Sequence, residues 1–200
     1  MSLLDCIHGR IVYPRRLGVL SSLVSALLPL GTSVLDLGCG DGRLAASMLR
    51  LRPDLRVTGV AVLLRPKIDI PVQEFDGQHL PFPDRSFDVV MIVDVLHHTA
   101  DPLVILAEAG RVARSHLIVK DHNCNGILAR LTLRLMDYVG NAWHGVALPY
   151  NFWTREQWRQ AFQLLGFNPA SSREVLHLYP WPASWLFDRS LHFLARLDKV

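Results

Sequence analysis

Nine residues, Val34-Leu35-Asp36-Leu37-Gly38-Cys39-Gly40-Asp41-Gly42, constrain this chain more than any other stretch of it. A short apolar run carries an acid near its end, glycines recur at every second position, and Leu44, Ala45, Met48 and Leu49 then resume at helical spacing. That order predicts a strand, a tight loop and a helix. Glycine in such a loop admits positive φ and lets a ligand come close to the backbone, with no Cβ in the way. The spacing is GxGxG, whereas the nicotinamide dinucleotide fingerprint is GxGxxG, so an oxidoreductase is disfavoured. Asp41, just before the helix, is expected to be its N-cap rather than a ligand.

The rest of the chain repeats the alternation. An amphipathic helix is expected over residues 16–28, with Leu17, Leu20, Val24, Leu27 and Leu28 on one face and Pro29 and Gly31 ending it. Strands are predicted over 33–37, 56–62, 70–75, 87–93 and 115–120, with a helix over 102–112. Strands alternating with helices imply an α/β fold whose mostly parallel sheet is covered on both faces. Only residues 62–69 separate the second and third strands, and Pro66 lies among them. A full crossover helix does not fit there, so that layer is abbreviated. A helical pattern over 126–138 leads into a loop with aromatic residues and glycines over 140–153. Thr154 with Gln157 is a capping-box signature for a helix to about residue 165, stopped by Gly166. Residues 173–179 and 191–197 alternate as two last strands would.

Composition excludes several partners. Twenty-one basic residues face 18 acidic ones for a net charge of +3, and the arginines are scattered, which is a solvated surface and no nucleic-acid footprint. Cys6, Cys39 and Cys124 lack CxxC spacing, which reads as reduced thiols in the cytoplasm. No secretory signal and no membrane-spanning run is evident, so no integral membrane segment is expected.

The nine-residue stretch resembles the first motif of class I S-adenosylmethionine-dependent methyltransferases, and the resemblance runs over residues 33–121. In the block from Phe75 to Asp88, Asp76 matches the acid that receives the adenine amino group, with Gly77 presenting its backbone to the ring. Asp94 and Val95 follow at the end of strand four, which in that family lies beside the sulfonium and the adenosine. Leu96-His97-His98 and Asp101-Pro102 are typical of the type 11 group, which includes quinone-biosynthesis enzymes. The resemblance implies a Rossmann-like fold with a seven-stranded sheet, S-adenosyl-L-methionine as cofactor, and cofactor contacts at Asp36, Gly38, Cys39, Gly40, Ala61, Asp76, Gly77, Asp94 and Val95. It divides a single domain into a helical segment (1–32), the cofactor core (33–121), an acceptor-pocket insertion (122–153) and a C-terminal helix with the last strands (154–200).

The sequence departs from the family at Ala61, where relatives carry the acid that holds the ribose hydroxyls. A methyl group cannot do that, so a fold that binds cofactor but turns over weakly or not at all is the alternative reading. Two adjacent histidines suggest metal, but neighbours on a helix diverge by about a hundred degrees and no further ligand cluster is evident in the sequence, so no metal is expected. Candidate bases are Asp121 and His122, placed just past strand five, and His144 in the following loop. The acceptor is expected to be a small, largely apolar molecule. Aromatics from Trp143 to Trp185 supply surface for it, or for peripheral contact with a membrane, or for the core.

Overall fold

The computed structural model describes residues 8–141 and 149–199. A π-helical turn (His8–Val12) leads into α1 (Tyr13–Ser25), followed by β1 (Ser33–Leu37), α2 (Arg43–Leu51), β2 (Arg56–Ala61), β3 (Val72–Glu74) and β4 (Phe87–Val93). Then come α3 (Pro102–Val112), β5 (Ala113–His122), α4 (Ala129–Asn141), α5 (Arg155–Leu164), β6 (Phe167–Arg173), α6 (Ala183–Phe187) and β7 (His192–Lys199). The strands form one seven-stranded sheet in the order β3-β2-β1-β4-β5-β7-β6. Neighbours are parallel from β3 to β5, whereas β7 is antiparallel to both β5 and β6. No helix of the described residues separates β2 from β3, so the abbreviated crossover stands as expected.

The apolar runs of the central strands supply both faces of the sheet. Leu35, Leu37, Val90, Ile92, Leu117 and Val119 pack on one side with residues of α3 and α5, including Leu106, Trp158 and Phe162. Val34, Val89, Met91 and Ile118 pack on the other side with Leu20 and Val24 of α1 and Met48 of α2. Truncating one such leucine to alanine costs about 2–5 kcal/mol, so these strands are fixed in register by their side chains.

Local chemistry sets the helix ends. Arg52 donates to the carbonyls of Ser25, Leu28 and Pro29 (3.1, 3.2 and 3.0 Å), answering the orphan acceptors at the end of α1. Asp101 caps α3 by accepting from Leu103 N, with Pro102 in its first turn. The Thr154–Gln157 capping box closes reciprocally on α5, and Gly166 follows at φ +71°. Gly42, left-handed at φ 78°, rather than Asp41, occupies the N-cap of α2; the Asp41 carboxylate instead accepts from Arg43 N.

Four expectations need correction. α1 begins and ends three residues early, at Tyr13 and Ser25, because Pro14 starts it and a turn replaces its last stretch. α4 is displaced in the other direction, to Ala129–Asn141. β5 is longer at both ends, so Asp121 and His122 are its last two residues, paired with Phe193 and His192 of β7. The strand expected over 173–179 is instead β6 (Phe167–Arg173), an edge strand almost wholly exposed beyond Phe167, whose polar run Asn168-Pro169-Ala170-Ser171-Ser172 carries no apolar alternation. Leu176 and Leu178, which produced the misleading alternation, are buried from a non-strand segment.

Candidate functional site

The strand order turns back on itself at β1, which has β2 on one side and β4 on the other. Ligands of open α/β sheets sit outside the carboxyl ends of the strands at such a switch point. A cleft of about 500 Å³ opens there, and Gly38, Gly40, Ala61, Gly77, Asp94 and Val95 line it. Asp36 and Cys39 line a smaller adjoining recess of about 150 Å³. Asp76 is exposed, its Oδ1 accepting from the N–H groups of Gln78 and His79 (2.7 and 2.6 Å), which hold its carboxyl down at about 2.

Gly38 is at φ +77°, and a Cβ added there would stand 2.4 Å from Val95 Cγ2; the tight loop therefore packs directly on the end of β4. One strand away, Gly59 leaves room for Cys39, whose Sγ a Cβ at Gly59 would meet at 2.5 Å. Burial, reinforced by Asp36, pushes the Cys39 thiol up to about 12, so it is an inert packing group. Asp36 is buried, which raises its carboxyl to about 7, and its Oδ2 has no hydrogen-bond partner among the described residues. An acid that binds its proton more tightly when folded stabilises the fold most at low pH. Asp36 is therefore expected to contribute a loss of stability as pH rises from the ordinary carboxylate range through about 7, a contribution that Asp36→Asn removes. Denaturant melts of both proteins across that range test this, and identical slopes would reject it.

Asp94, left-handed at φ 57°, directly follows β4 and gives its N–H to Lys120 O (2.9 Å). Its carboxylate pairs with Arg16 of α1 at 2.8 Å and with the fully buried Lys120 of β5, while His122 Nε2 stands 3.6 Å away. Burial would raise this carboxyl, but Lys120 and Arg16 outweigh it and hold Asp94 well below the usual range. Burial in turn lowers Lys120, against the pull of Asp94.

A second cavity, of about 180 Å³, lies behind Asp94 and is lined by Arg16, His97, His122, Asp137 and Tyr179 among others. Asp121 is buried beside it with both oxygens engaged: Oδ2 accepts from Leu96 N (3.0 Å), and Oδ1 meets His97 Nδ1 (2.7 Å) and accepts from His122 N (2.8 Å). It ties the end of β5 to the 3-10 turn Leu96–His98. Burial opposes a charge on His97, yet Asp121 and then Asp137 raise it to about 10. Burial pushes His122 well below its ordinary value, and its Nδ1 faces His192 Nδ1 at 3.1 Å. His144 lies outside the described residues.

The sequence reading missed most of this polar wall. Arg16, Lys120, Asp137, Tyr179 and His192 come from separate elements that only the topology brings together. One signal was available: Lys120 directly follows the apolar run Leu117-Ile118-Val119. The fold also gives the paired histidines neighbours that the sequence does not show beside them. The donor atoms of His97, His98 and Asp137, and those of His97, Asp121 and His122, lie within 4.8 Å of one another.

The expected aromatic surface divides. Phe152 and Trp158 are buried, the former stacked on His97 at 5.4 Å, whereas Trp181 and Trp185 are 85% and 80% exposed. No helix of the described residues is long and apolar enough to cross a membrane.

A family model described as a methyltransferase domain matches residues 13–172. The chain belongs to that family. It is 36% identical over 110 residues to 27-O-demethylrifamycin SV methyltransferase of Amycolatopsis mediterranei, covering 48% of this chain and 40% of that protein. It is 35% identical over 108 residues to 2-methyl-6-phytyl-1,4-hydroquinone methyltransferase of Synechocystis, covering 48% and 34%. The match thus spans less than half the length of these relatives. The fold is that of solved S-adenosylmethionine-dependent methyltransferases. One from Mesorhizobium loti superposes with a TM-score of 0.66 at 17% identity over 89% of this chain and 96% of that one. One from Aquifex aeolicus gives 0.64 at 15% identity over 98% of each.

Both of those solved neighbours depend on S-adenosylmethionine as cofactor. The residues of this chain fit it in two respects. The loop at Gly40 leaves open space where a Cβ would stand, and the unpartnered Asp36 Oδ2 can accept from a cationic group.

Proposed function

We propose that this chain transfers a methyl group from S-adenosylmethionine to a small acceptor whose reacting group enters the polar cavity behind Asp94. One observation carries the reading: Asp94 lines both the cofactor cleft and that cavity, so the two spaces meet at a single side chain. The bound cofactor supplies an electrophilic methyl on a sulfonium, and the chain has chiefly to align the acceptor with it and, for a hydroxyl, take its proton. Arg16 and Lys120 fix the Asp94 carboxylate. Asp121 positions His97 and the backbone of His122, and does not itself reach the acceptor. His122, on the cavity wall, is the candidate base among the described residues; His144 keeps its standing as a candidate from position in the sequence.

The acceptor implied has a polar head and an apolar body. The inner cavity is lined largely by ionisable groups, which favours an acidic or hydrogen-bonding head. Elsewhere on the helices α4 and α6, Leu131, Leu135, Tyr138 and Trp185 present exposed apolar surface suited to an apolar body or to the surface of a membrane that holds one. The names of the two relatives, a rifamycin and a hydroquinone methyltransferase, support the same class of acceptor.

The alternative of a weakly active enzyme turns on Ala61, which lines the cleft at the end of β2 with no carboxylate to offer a ribose. S-adenosylhomocysteine is nevertheless expected to bind, giving about 2.7 kcal/mol of stabilisation at a hundredfold excess over its Kd. Ala61→Asp is expected to tighten it about tenfold, the equivalent of about 1.4 kcal/mol, with most of that gain lost for a 2′-deoxy analogue. Calorimetric titration decides both. Absence of binding heat and of any thermal shift at saturating ligand would overturn the proposed function.

A further inference from the structure

We propose that His97, His98 and Asp137 form a binding site for a divalent transition-metal ion on the wall between the cofactor cleft and the acceptor cavity. The proposal deepens the functional reading above and rests on it for the ion's role, though not for the ion's binding.

The distances separate hydrogen bond from coordination. His97 Nδ1 stands 2.7 Å from Asp121 Oδ1, a hydrogen bond with no room for an ion between the two atoms. On the other side of the same ring, His97 Nε2 is 3.7 Å from Asp137 Oδ1, and His98 Nε2 is 3.4 Å from that same oxygen. Ligand atoms each about 2.1 Å from a common ion stand about 3.0–3.4 Å from one another, from octahedral to tetrahedral geometry. In the second set the His98–Asp137 edge falls in that range, the His97–Asp137 edge lies just beyond it, and all three donor atoms lie within 4.8 Å of one another. The first has the spacing of the carboxylate–histidine contact that fixes a ligating imidazole by its far nitrogen. Asp121 orients the ligand, and Nε2 faces inward.

The surroundings agree. His97 and Asp137 are buried, and the side chain of His98 is only 13% exposed, so bulk water does not compete freely for the site. Two imidazoles and one carboxylate select a borderline ion such as Zn²⁺, Co²⁺ or Fe²⁺ over Mg²⁺ or Ca²⁺, which prefer all-oxygen shells. Among the described residues the site has three protein ligands, fewer than the four to six such an ion takes. His98 also lines the cofactor cleft, and His97 and Asp137 line the acceptor cavity. An ion here therefore stands where an acceptor oxygen would enter, and holds that oxygen as a ligand.

The test uses Co²⁺ as the probe, with the chelator-treated full chain. One equivalent of Co²⁺ is expected to give visible d–d absorption and a matching calorimetric stoichiometry. Asp137→Asn and His98→Ala are each expected to weaken binding at least a hundredfold, and Asp121→Asn about 10- to 100-fold, as outer-shell partners of metal sites do. His122→Ala, outside the proposed set, is expected to bind Co²⁺ as the parent does. Circular dichroism and S-adenosylhomocysteine binding by Asp137→Asn establish that this variant is folded. No one-to-one Co²⁺ binding by the parent, or undiminished binding by a folded Asp137→Asn, overturns the proposal. Loss in His122→Ala with retention in His98→Ala also overturns it, in favour of the neighbouring His97, Asp121, His122 group. Cofactor binding is read in the absence of Co²⁺, so failure of the metal site and failure of the methyltransferase reading appear as separate results.

Discussion

Lys120→Met is expected to lower the stability of the protein by about 3 kcal/mol, the lower end of the cost of stripping one partner from a buried ion pair. The substitution keeps an unbranched side chain of similar length, so little cavity is created and the loss reports the charge. Lys120 is 0% exposed on β5, and its amine meets the Asp94 carboxylate, which in the variant keeps Arg16, the more distant His97 and its partial exposure to support its charge. For a chain of this length about 1 kcal/mol shifts Tm by about 2–4 °C, so a fall of roughly 6–12 °C is expected. Adding Asp94→Asn to Lys120→Met is expected to recover part of that loss, because it removes the stranded charge. Thermal and denaturant melts of the two variants and the parent measure this. A Lys120→Met protein as stable as its parent would show that the fold does not depend on an ionised pair at this position.

The second large effect is on rate. With an acceptor found by screening, His122→Ala is expected to lower turnover about a hundredfold or more while leaving S-adenosylhomocysteine affinity intact, the range for removal of a general base. Asp121→Asn is expected to behave differently. It disturbs the Leu96 N, His97 and His122 N contacts at once, so its melting temperature should fall together with its activity. Comparing kcat with Tm for the two variants separates base from scaffold. Full activity in His122→Ala would withdraw His122 and leave alignment alone, or a group such as His144, to account for catalysis.

What could be seen in the sequence was what is decided within a few residues. The run into Gly38, the helix capped by Asp101 and the capping box at Thr154 each carry their cause beside them, and each lies where expected. β5 could be located but not bounded, since Asp121 and His122 look like polar residues past a strand until β7 is laid against them. β6 could not be found at all, because an exposed edge strand containing Pro169 has neither apolar alternation nor strand propensity. The polar wall failed for another reason. Arg16, Asp94, Lys120 and His192 are joined by strand order rather than by spacing, and no window on the sequence contains them together. Aromatic content was equally mute, since Trp158 is buried and Trp185 lies bare.

The position of β7 also fixes an order of assembly. Among the described residues β6 pairs only with β7, and β7 lies between it and β5, so β6 has no place in the sheet until the strand made after it has arrived. During synthesis the five parallel strands can close as soon as β5 has emerged, and β5 then waits as an open edge with Lys120 and His122 lacking their His192 neighbour. Such an edge is a template for pairing with another chain. The nascent protein is therefore most vulnerable to self-association in the interval when its cofactor cleft is already framed and its antiparallel pair is not yet docked.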